Sequence, residues 1–136
     1  MRVKDAMSPI SAIVGPQHTL EQAAKRMVQH ATGAAVVLDV SLPGPAVVTE
    51  RDLLRAVGAG LDPRAEYVED HMTGEVVTAA PDWAIADAAS VMVKHGVRHV
   101  LVFGGSELVG ILSMRDVVRV GGFGAPTAAL VAAAGV

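Results

Sequence analysis

One short polar pattern occurs twice in the chain, and its residue types suit the binding of a sugar or a phosphate. Each copy has a hydroxyl residue, then an arginine two positions later and an aspartate three positions later. The residues are Thr49, Arg51 and Asp52 in the first copy and Ser113, Arg115 and Asp116 in the second. An ionised carboxylate only accepts hydrogen bonds, so an aspartate can take both hydroxyl hydrogens of a ribose, and an arginine can reach a phosphate.

The same pattern is also typical of the start of a helix. A Ser or Thr at the end of a strand can cap the following helix, and an Asp in the first turn is favoured by the helix dipole. From spacing alone, a capped helix with solvated arginines explains the pattern better than a ligand site does.

The pattern belongs to a longer internal repeat. The segment VKDAMSP, which begins at Val3, matches VEDHMTG, which begins at Val68, at an offset of 65 residues. The offset holds through the first half of each copy, and the hydroxyl–Arg–Asp pattern follows at an offset of 64. We therefore predict a tandem repeat with these boundaries: a first repeat 1–60, a linker 61–67, a second repeat 68–120 and a flexible Gly/Ala-rich tail 121–136.

Each repeat is predicted to fold as β-α-β-β-α, in an α+β architecture. The first helix of each repeat has apolar residues at the spacing of one buried helix face. These are Leu20, Ala23, Ala24, Met27 and Val28, repeated as Ile85, Ala88, Ala89, Met92 and Val93. Thr19 with Gln22 predicts a capping box for the first of these helices, and Asp82 is the predicted cap of the second.

Two strands and a closing helix complete each repeat. The strands are predicted at 34–38 and 46–48 in the first repeat and at 99–103 and 110–112 in the second. In both repeats the closing helix begins at the hydroxyl–Arg–Asp pattern itself. Gly110 of the second repeat is replaced by Ala46 in the first, which predicts that the backbone of the first repeat approaches a ligand less closely.

Composition argues against several classes of function. The net charge of −3 and an aromatic content of 3% disfavour nucleic-acid binding, which needs basic and stacking side chains. We predict no membrane association, and the absence of cysteine is consistent with a cytoplasmic protein. His95 and His99 have the spacing of helical metal ligands, but Gly96 is expected to end the helix between them, so no metal site is predicted.

The ordered set of repeated segments resembles the cystathionine-β-synthase (CBS) domain, which occurs in tandem pairs called Bateman modules. The segments that carry the resemblance are the openings VKDAMS and VEDHMT, the helices LEQAAKRMVQH and IADAASVMVKH, and the closing VVTERD and GILSMRD. The resemblance implies two repeats packed about a pseudo-twofold axis, pairing of modules into dimers, and clefts that bind AMP, ADP, ATP or S-adenosylmethionine as regulatory ligands.

The resemblance also implies which residues form the clefts, and it favours ribose binding by the two aspartates. Thr49 and Asp52 are expected to face Thr73, Arg98 and His99 of the second repeat. Ser113 and Asp116 are expected to face the uncharged stretch 32–36 of the first repeat. The first cleft would then suit a phosphorylated nucleotide, and the second would suit a less charged nucleoside or stay empty.

The expected function is therefore that of a non-enzymatic sensor of adenine nucleotides. It would need no cofactor besides the nucleotide ligand, would form a homodimer and would regulate a protein that the sequence does not identify. The alternative is a protein-interaction or dimerisation module whose clefts bind no ligand. An enzyme is a weaker possibility, because no nucleophile or acid–base pair can be placed.

Overall fold

The computed structural model describes residues 1–121, which form two compact units. One unit consists of Ile10–Val76, and the other combines Met1–Pro9 with the described residues from Val77 onwards. Each unit therefore contains the opening segment of the other repeat. The repeat boundaries predicted above are boundaries of sequence similarity and stay a prediction. The predicted tail falls outside the described residues except for Gly121.

Both units contain a strand, a helix, two further strands and a closing helix in the same order, and each also contains one helical turn of an opening segment, last in one unit and first in the other. The unit Ile10–Val76 contains β1 (Ile13–Val14), α2 (Leu20–Gln29), β2 (Ala34–Val37), β3 (Ala46–Thr49), α3 (Glu50–Gly58) and a 3-10 turn (Val68–Asp70). The other unit contains α1 (Val3–Ala6), β4 (Thr78–Ala79), α4 (Ile85–His95), β5 (His99–Gly104), β6 (Glu107–Ser113) and α5 (Met114–Val120). The predicted α+β tandem repeat is confirmed.

Each unit has one three-stranded sheet, in the orders β1-β2-β3 and β4-β5-β6. In each sheet the first pair of strands is parallel and the second pair is antiparallel. The parallel pair is joined by the helix α2 or α4, as a parallel connection requires. The antiparallel pair is a hairpin whose last strand leads directly into α3 or α5. The end of that strand is therefore also the start of the closing helix.

Each core is aliphatic and is completed by an exchanged opening segment. Val3 and Ala6 of the first opening are buried among residues of α4, β5, β6 and α5. Val68 of the second opening is buried among residues of α2, β2 and β3. Among the described residues, no polar or charged side chain is buried. Hydrophobic burial is thus the main stabilising force of both units.

The start of α2 confirms the sequence prediction, but the start of α4 corrects it. Thr19 and Gln22 form the predicted capping box. Asp82 does not cap α4, because the N-cap is Ala84, which has no side-chain cap. The Asp82 carboxylate instead accepts a hydrogen bond from Lys4 Nζ at 3.0 Å, and the Ile85 N–H at the start of α4 donates to the Met1 carbonyl at 3.2 Å.

The ends of these helices give a second correction. Gly96 ends α4 in the left-handed conformation, as predicted. Val28 and Val93, however, were expected on the buried faces and are 81% and 38% exposed.

No helix within residues 1–121 has the length and apolar character needed to span a bilayer.

Gly110 in β6 is a glycine because the opening segment packs directly on it. A Cβ atom at this position would lie 2.9 Å from the Ser8 carbonyl oxygen and 2.9 Å from Met7 Sδ. Ser8 is held there by two backbone hydrogen bonds to Ile111, both of 2.9 Å. The glycine at this position thus has a structural explanation that needs no ligand.

We predict that Gly110→Ala destabilises the protein by about 1–3 kcal/mol, because the added methyl group overpacks a contact with backbone that cannot move freely. Urea unfolding followed by circular dichroism measures this loss. Gly44→Ala is the matched control, because a Cβ atom at Gly44 meets nothing within 4 Å. An equal effect of the two substitutions would contradict the packing explanation.

Candidate functional site

The first hydroxyl–Arg–Asp pattern forms a capping box at the junction of β3 and α3. Thr49 donates from its backbone N–H to Asp52 Oδ2 at 2.8 Å, and Thr49 Oγ1 lies 3.1 Å from the same oxygen. In return, the Asp52 N–H donates to Thr49 Oγ1 at 3.3 Å. The helical explanation of the pattern is therefore confirmed, and it fixes the position of the carboxylate.

The capping box uses only one of the two carboxylate oxygens of Asp52. Within the described chain, its hydrogen bonds as acceptor all go to Oδ2. The Asp52 side chain is half-buried, so Oδ1 stands at the helix start as an acceptor held in a fixed place. A carboxylate oriented in this way can accept a hydrogen bond from a ribose hydroxyl without first being ordered.

The second pattern forms the same box at the junction of β6 and α5. Ser113 donates from its backbone N–H to Asp116 Oδ2 at 3.0 Å, and the Asp116 N–H donates to Ser113 Oγ at 3.0 Å. Here the other oxygen, Oδ1, lies 3.4 Å from Arg119 Nη2. The Arg119 guanidinium also donates to the Ala6 carbonyl at 3.3 Å. A ligand at Asp116 must therefore share the carboxylate with Arg119.

The central strand of each sheet lies directly beside the hydroxyl residue. In one sheet Ala34 is the register partner of Thr49, and in the other His99 is the register partner of Ser113. The two motifs are thus placed equivalently in their own sheets, but the neighbouring side chain is an alanine methyl group in one and an imidazole in the other.

The residue before each of these strand partners contacts the start of the closing helix. The Glu50 N–H donates to the Gly33 carbonyl at 2.9 Å, and the Met114 N–H donates to the Arg98 carbonyl at 2.8 Å. Arg98 and His99 therefore lie within the unit that contains Ser113 and Asp116. This pairing was not expected from the sequence, and the prediction that they face Asp52 stays a prediction.

The remaining predicted site residues are distributed between the two units. Thr73 lies with the first motif, because it forms backbone hydrogen bonds of 2.8 and 3.0 Å with Val47 of β3. Arg51 is half-buried in the first turn of α3, and Arg115 is exposed in the first turn of α5. No group of three or more metal-ligating side chains occurs within residues 1–121.

Sequence reasoning overlooked Glu50. Its carboxylate lies against the backbone of Gly33, since a Cβ atom there would be 2.8 Å from Glu50 Oε1. A signal for it exists in the repeat itself: at offsets of 65 and 64 residues, Arg98 replaces Gly33 and Met114 replaces Glu50. The two sites therefore carry different charges at equivalent positions.

Comparison with known proteins identifies the same repeats. A protein-family model described as the CBS domain matches residues 3–59 and residues 68–122. The CBS domain-containing protein YhcV of Bacillus subtilis is 34% identical over 116 residues, which are 84% of this chain and 81% of that protein. An uncharacterized 17.7 kDa protein of Acidianus ambivalens is 34% identical over 109 residues, 79% of this chain and 65% of that protein.

A solved structure adds a ligand-bound comparison. The CBS domain protein PAE2072 from Pyrobaculum aerophilum, in a complex with AMP, is 29% identical with a TM-score of 0.76. The alignment covers 100% of each chain.

We predict that Thr49→Ala lowers the free energy of unfolding by about 0.5–2 kcal/mol, because the N-terminal amides of α3 lose their side-chain acceptor. Thr49→Ser keeps the hydroxyl and is the matched control. Urea denaturation compares the two variants. If both lose the same stability, the methyl group and not the cap is responsible.

Proposed function

The chain belongs to the CBS domain family, and on that premise we propose that it is a regulatory module that binds adenosine-containing ligands at its two hydroxyl–Arg–Asp motifs. The observation that carries the proposal is the Asp52 carboxylate, which the capping box fixes while leaving Oδ1 available to a ribose hydroxyl. The AMP complex of PAE2072, aligned over the whole of both chains, supports an adenine nucleotide as the ligand.

In this proposal the aspartates bind ribose and the cations bind phosphate. Asp52 and Asp116 accept the diol hydroxyls, and Thr49 and Ser113 hold them in place. Thr73 lies beside β3 as a further polar contact. The proposed phosphate ligands are Arg51, Arg98, His99 and Arg115. Arg98 and His99 are adjacent to Ser113 in the sheet, so we propose that they serve the second motif and not, as expected from the sequence, the first. Phosphate recognition is then assigned mainly to the second motif.

The proposal is one of regulation and not of catalysis. Both aspartates are engaged by a cap, which suits a group that holds a ligand in place. We propose that no cofactor is required besides the regulatory nucleotide. We also place the protein in the cytoplasm, with which its lack of cysteine is consistent.

We predict that AMP or adenosine at a hundredfold excess over its Kd stabilises the protein by about 2.7 kcal/mol, which raises the melting temperature by several degrees. Asp52→Asn and Asp116→Asn should each weaken binding at their own motif on the order of tenfold to a hundredfold, because a charged hydrogen bond is lost. The double variant should show almost no shift in differential scanning fluorimetry.

The unliganded variants provide the control. An asparagine oxygen can still accept the capping hydrogen bonds, so their melting temperatures without ligand should stay close to that of the parent. If the parent shows no shift with any adenosine ligand, the motifs are structural. The function would then be that of a ligand-free interaction module.

We further propose that the chain forms a homodimer. Apolar residues are exposed at equivalent positions of both repeats: Val28 and Val93 at 81% and 38%, and Leu54 and Val118 at 71% and 44%. The first pair lies on α2 and α4, and the second on α3 and α5. Recurrence at equivalent positions favours an apolar surface on each unit that a second copy covers.

We predict that the parent scatters light as a particle of about twice the 14.0 kDa chain mass, and that Leu54→Lys shifts it toward the monomer because a charge enters the apolar surface. Val40→Lys is the control, since Val40 is a fully exposed apolar residue outside the helices. A parent that is monomeric at micromolar concentration would contradict the proposal.

A further inference from the structure

The two motifs differ in charge at one equivalent position, where the central strand meets the closing helix. In the first motif the residue after Thr49 is Glu50, and its backbone N–H bonds to Gly33. In the second motif the corresponding residues are Met114 and Arg98, joined by the same backbone hydrogen bond. Compared with the second motif, the first thus has an acidic side chain in place of an apolar one and a glycine in place of an arginine.

Contacts at Gly33 show where the acidic group lies. A Cβ atom on Gly33 would be 2.8 Å from Oε1, 3.0 Å from Cδ and 3.3 Å from Oε2 of Glu50. The carboxylate therefore occupies the place where a side chain at residue 33 would begin. In the second motif the side chain of Arg98 begins at that place. The first motif thus has a carboxylate beside a glycine at this position, whereas the equivalent residue of the second motif is itself a basic one.

In the second motif the residue equivalent to Glu50 is Met114, and it is buried. Its side chain is 1% exposed and belongs to the hydrophobic core with Val117 and Leu112. Glu50 is exposed instead, and it adds its charge to that of Asp52 two residues later. The first turn of α3 therefore carries two carboxylates on either side of Arg51, whereas the first turn of α5 carries one beside Arg115.

We infer that Glu50 is a specificity-determining residue, which disfavours phosphate at the Thr49–Asp52 motif and makes that motif selective for an adenosine ligand without phosphate. The inference rests on the proposed function, because it assumes that the motif binds a ribose. The phosphate of a nucleotide carries negative charge, and like charges placed close together repel. The Ser113–Asp116 motif, with Arg98 and His99, then takes the phosphorylated ligand.

The test isolates the first motif by using Asp116→Asn as the background. Isothermal titration calorimetry with adenosine and with AMP gives the two dissociation constants and their ratio. On this background we expect adenosine to bind more tightly than AMP. Adding Glu50→Gln should strengthen AMP binding about two- to fivefold, the range expected for one exposed charge pair, and leave adenosine binding unchanged.

The matched control is Glu69→Gln on the same background. It removes the same charge from an exposed position of the same unit, on the 3-10 turn and outside the motif. It should leave the ratio of the two constants unchanged. An equal change in AMP affinity in this variant would overturn the inference, because overall charge and not the position of Glu50 would then set the selectivity.

Other outcomes separate this inference from the proposed function. If adenosine binds but Glu50→Gln leaves the ratio unaltered, or weakens both ligands equally, the inference fails and the proposed function stands. If Asp116→Asn abolishes all binding, the Thr49–Asp52 motif holds no ligand and the inference fails. If the parent binds neither adenosine nor AMP, the proposed function itself fails.

Discussion

The exchange of opening segments between the two repeats is the constraint on which the other features depend. Each unit has one small sheet and two main helices, which leave one region of the core uncovered. Val3 and Val68 fill this region from the opening segments and are fully buried there. Burying a valine contributes roughly 1.5–3 kcal/mol, a large share of the stability of a small unit. Neither repeat therefore completes its core with its own residues alone.

This exchange also positions the candidate sites. After its buried helical turn, each opening forms backbone hydrogen bonds with the last strand of the sheet, through Ser8 to Ile111 and through Thr73 to Val47. Those strands end two residues later, at the capping hydroxyl of Ser113 or Thr49. The junction of strand and helix is thus held by the core on one side and by the opening segment on the other. A capping box at a fixed junction holds its carboxylate with little freedom to lose on binding.

Much of this architecture follows from local sequence signals, and the exceptions have non-local causes. The helix starts at Thr19, Thr49 and Ser113 are each set by a capping box whose two side chains are three residues apart, so the local sequence predicts them. The start of α4 has no side-chain cap, and the Ile85 N–H there bonds to the Met1 carbonyl in the opening of the other repeat, a contact that the local sequence does not encode. Val28 has the spacing of a buried residue but is exposed, because helical periodicity identifies an apolar stripe and not how much of it the rest of the unit covers. The sequence of a single repeat gives no signal that its opening segment packs into the core formed by the other repeat.

The position of Glu50 shows how a duplicated fold can separate two binding preferences without changing its backbone. The backbone hydrogen bond that joins strand to helix is made by Glu50 and Gly33 in one repeat and by Met114 and Arg98 in the other, so it does not depend on the side chains. The hydroxyl and the aspartate of each motif are restricted by the cap they form. The residue between cap and arginine is restricted only in the second repeat, where Met114 is buried in the core, whereas Glu50 of the first repeat is exposed. Charge can therefore change at Glu50, and at the neighbouring Gly33, at small cost to folding, and both residues belong to the strand–helix junction whose carboxylate we propose holds the ribose. Selectivity between the two motifs is most readily altered at these positions.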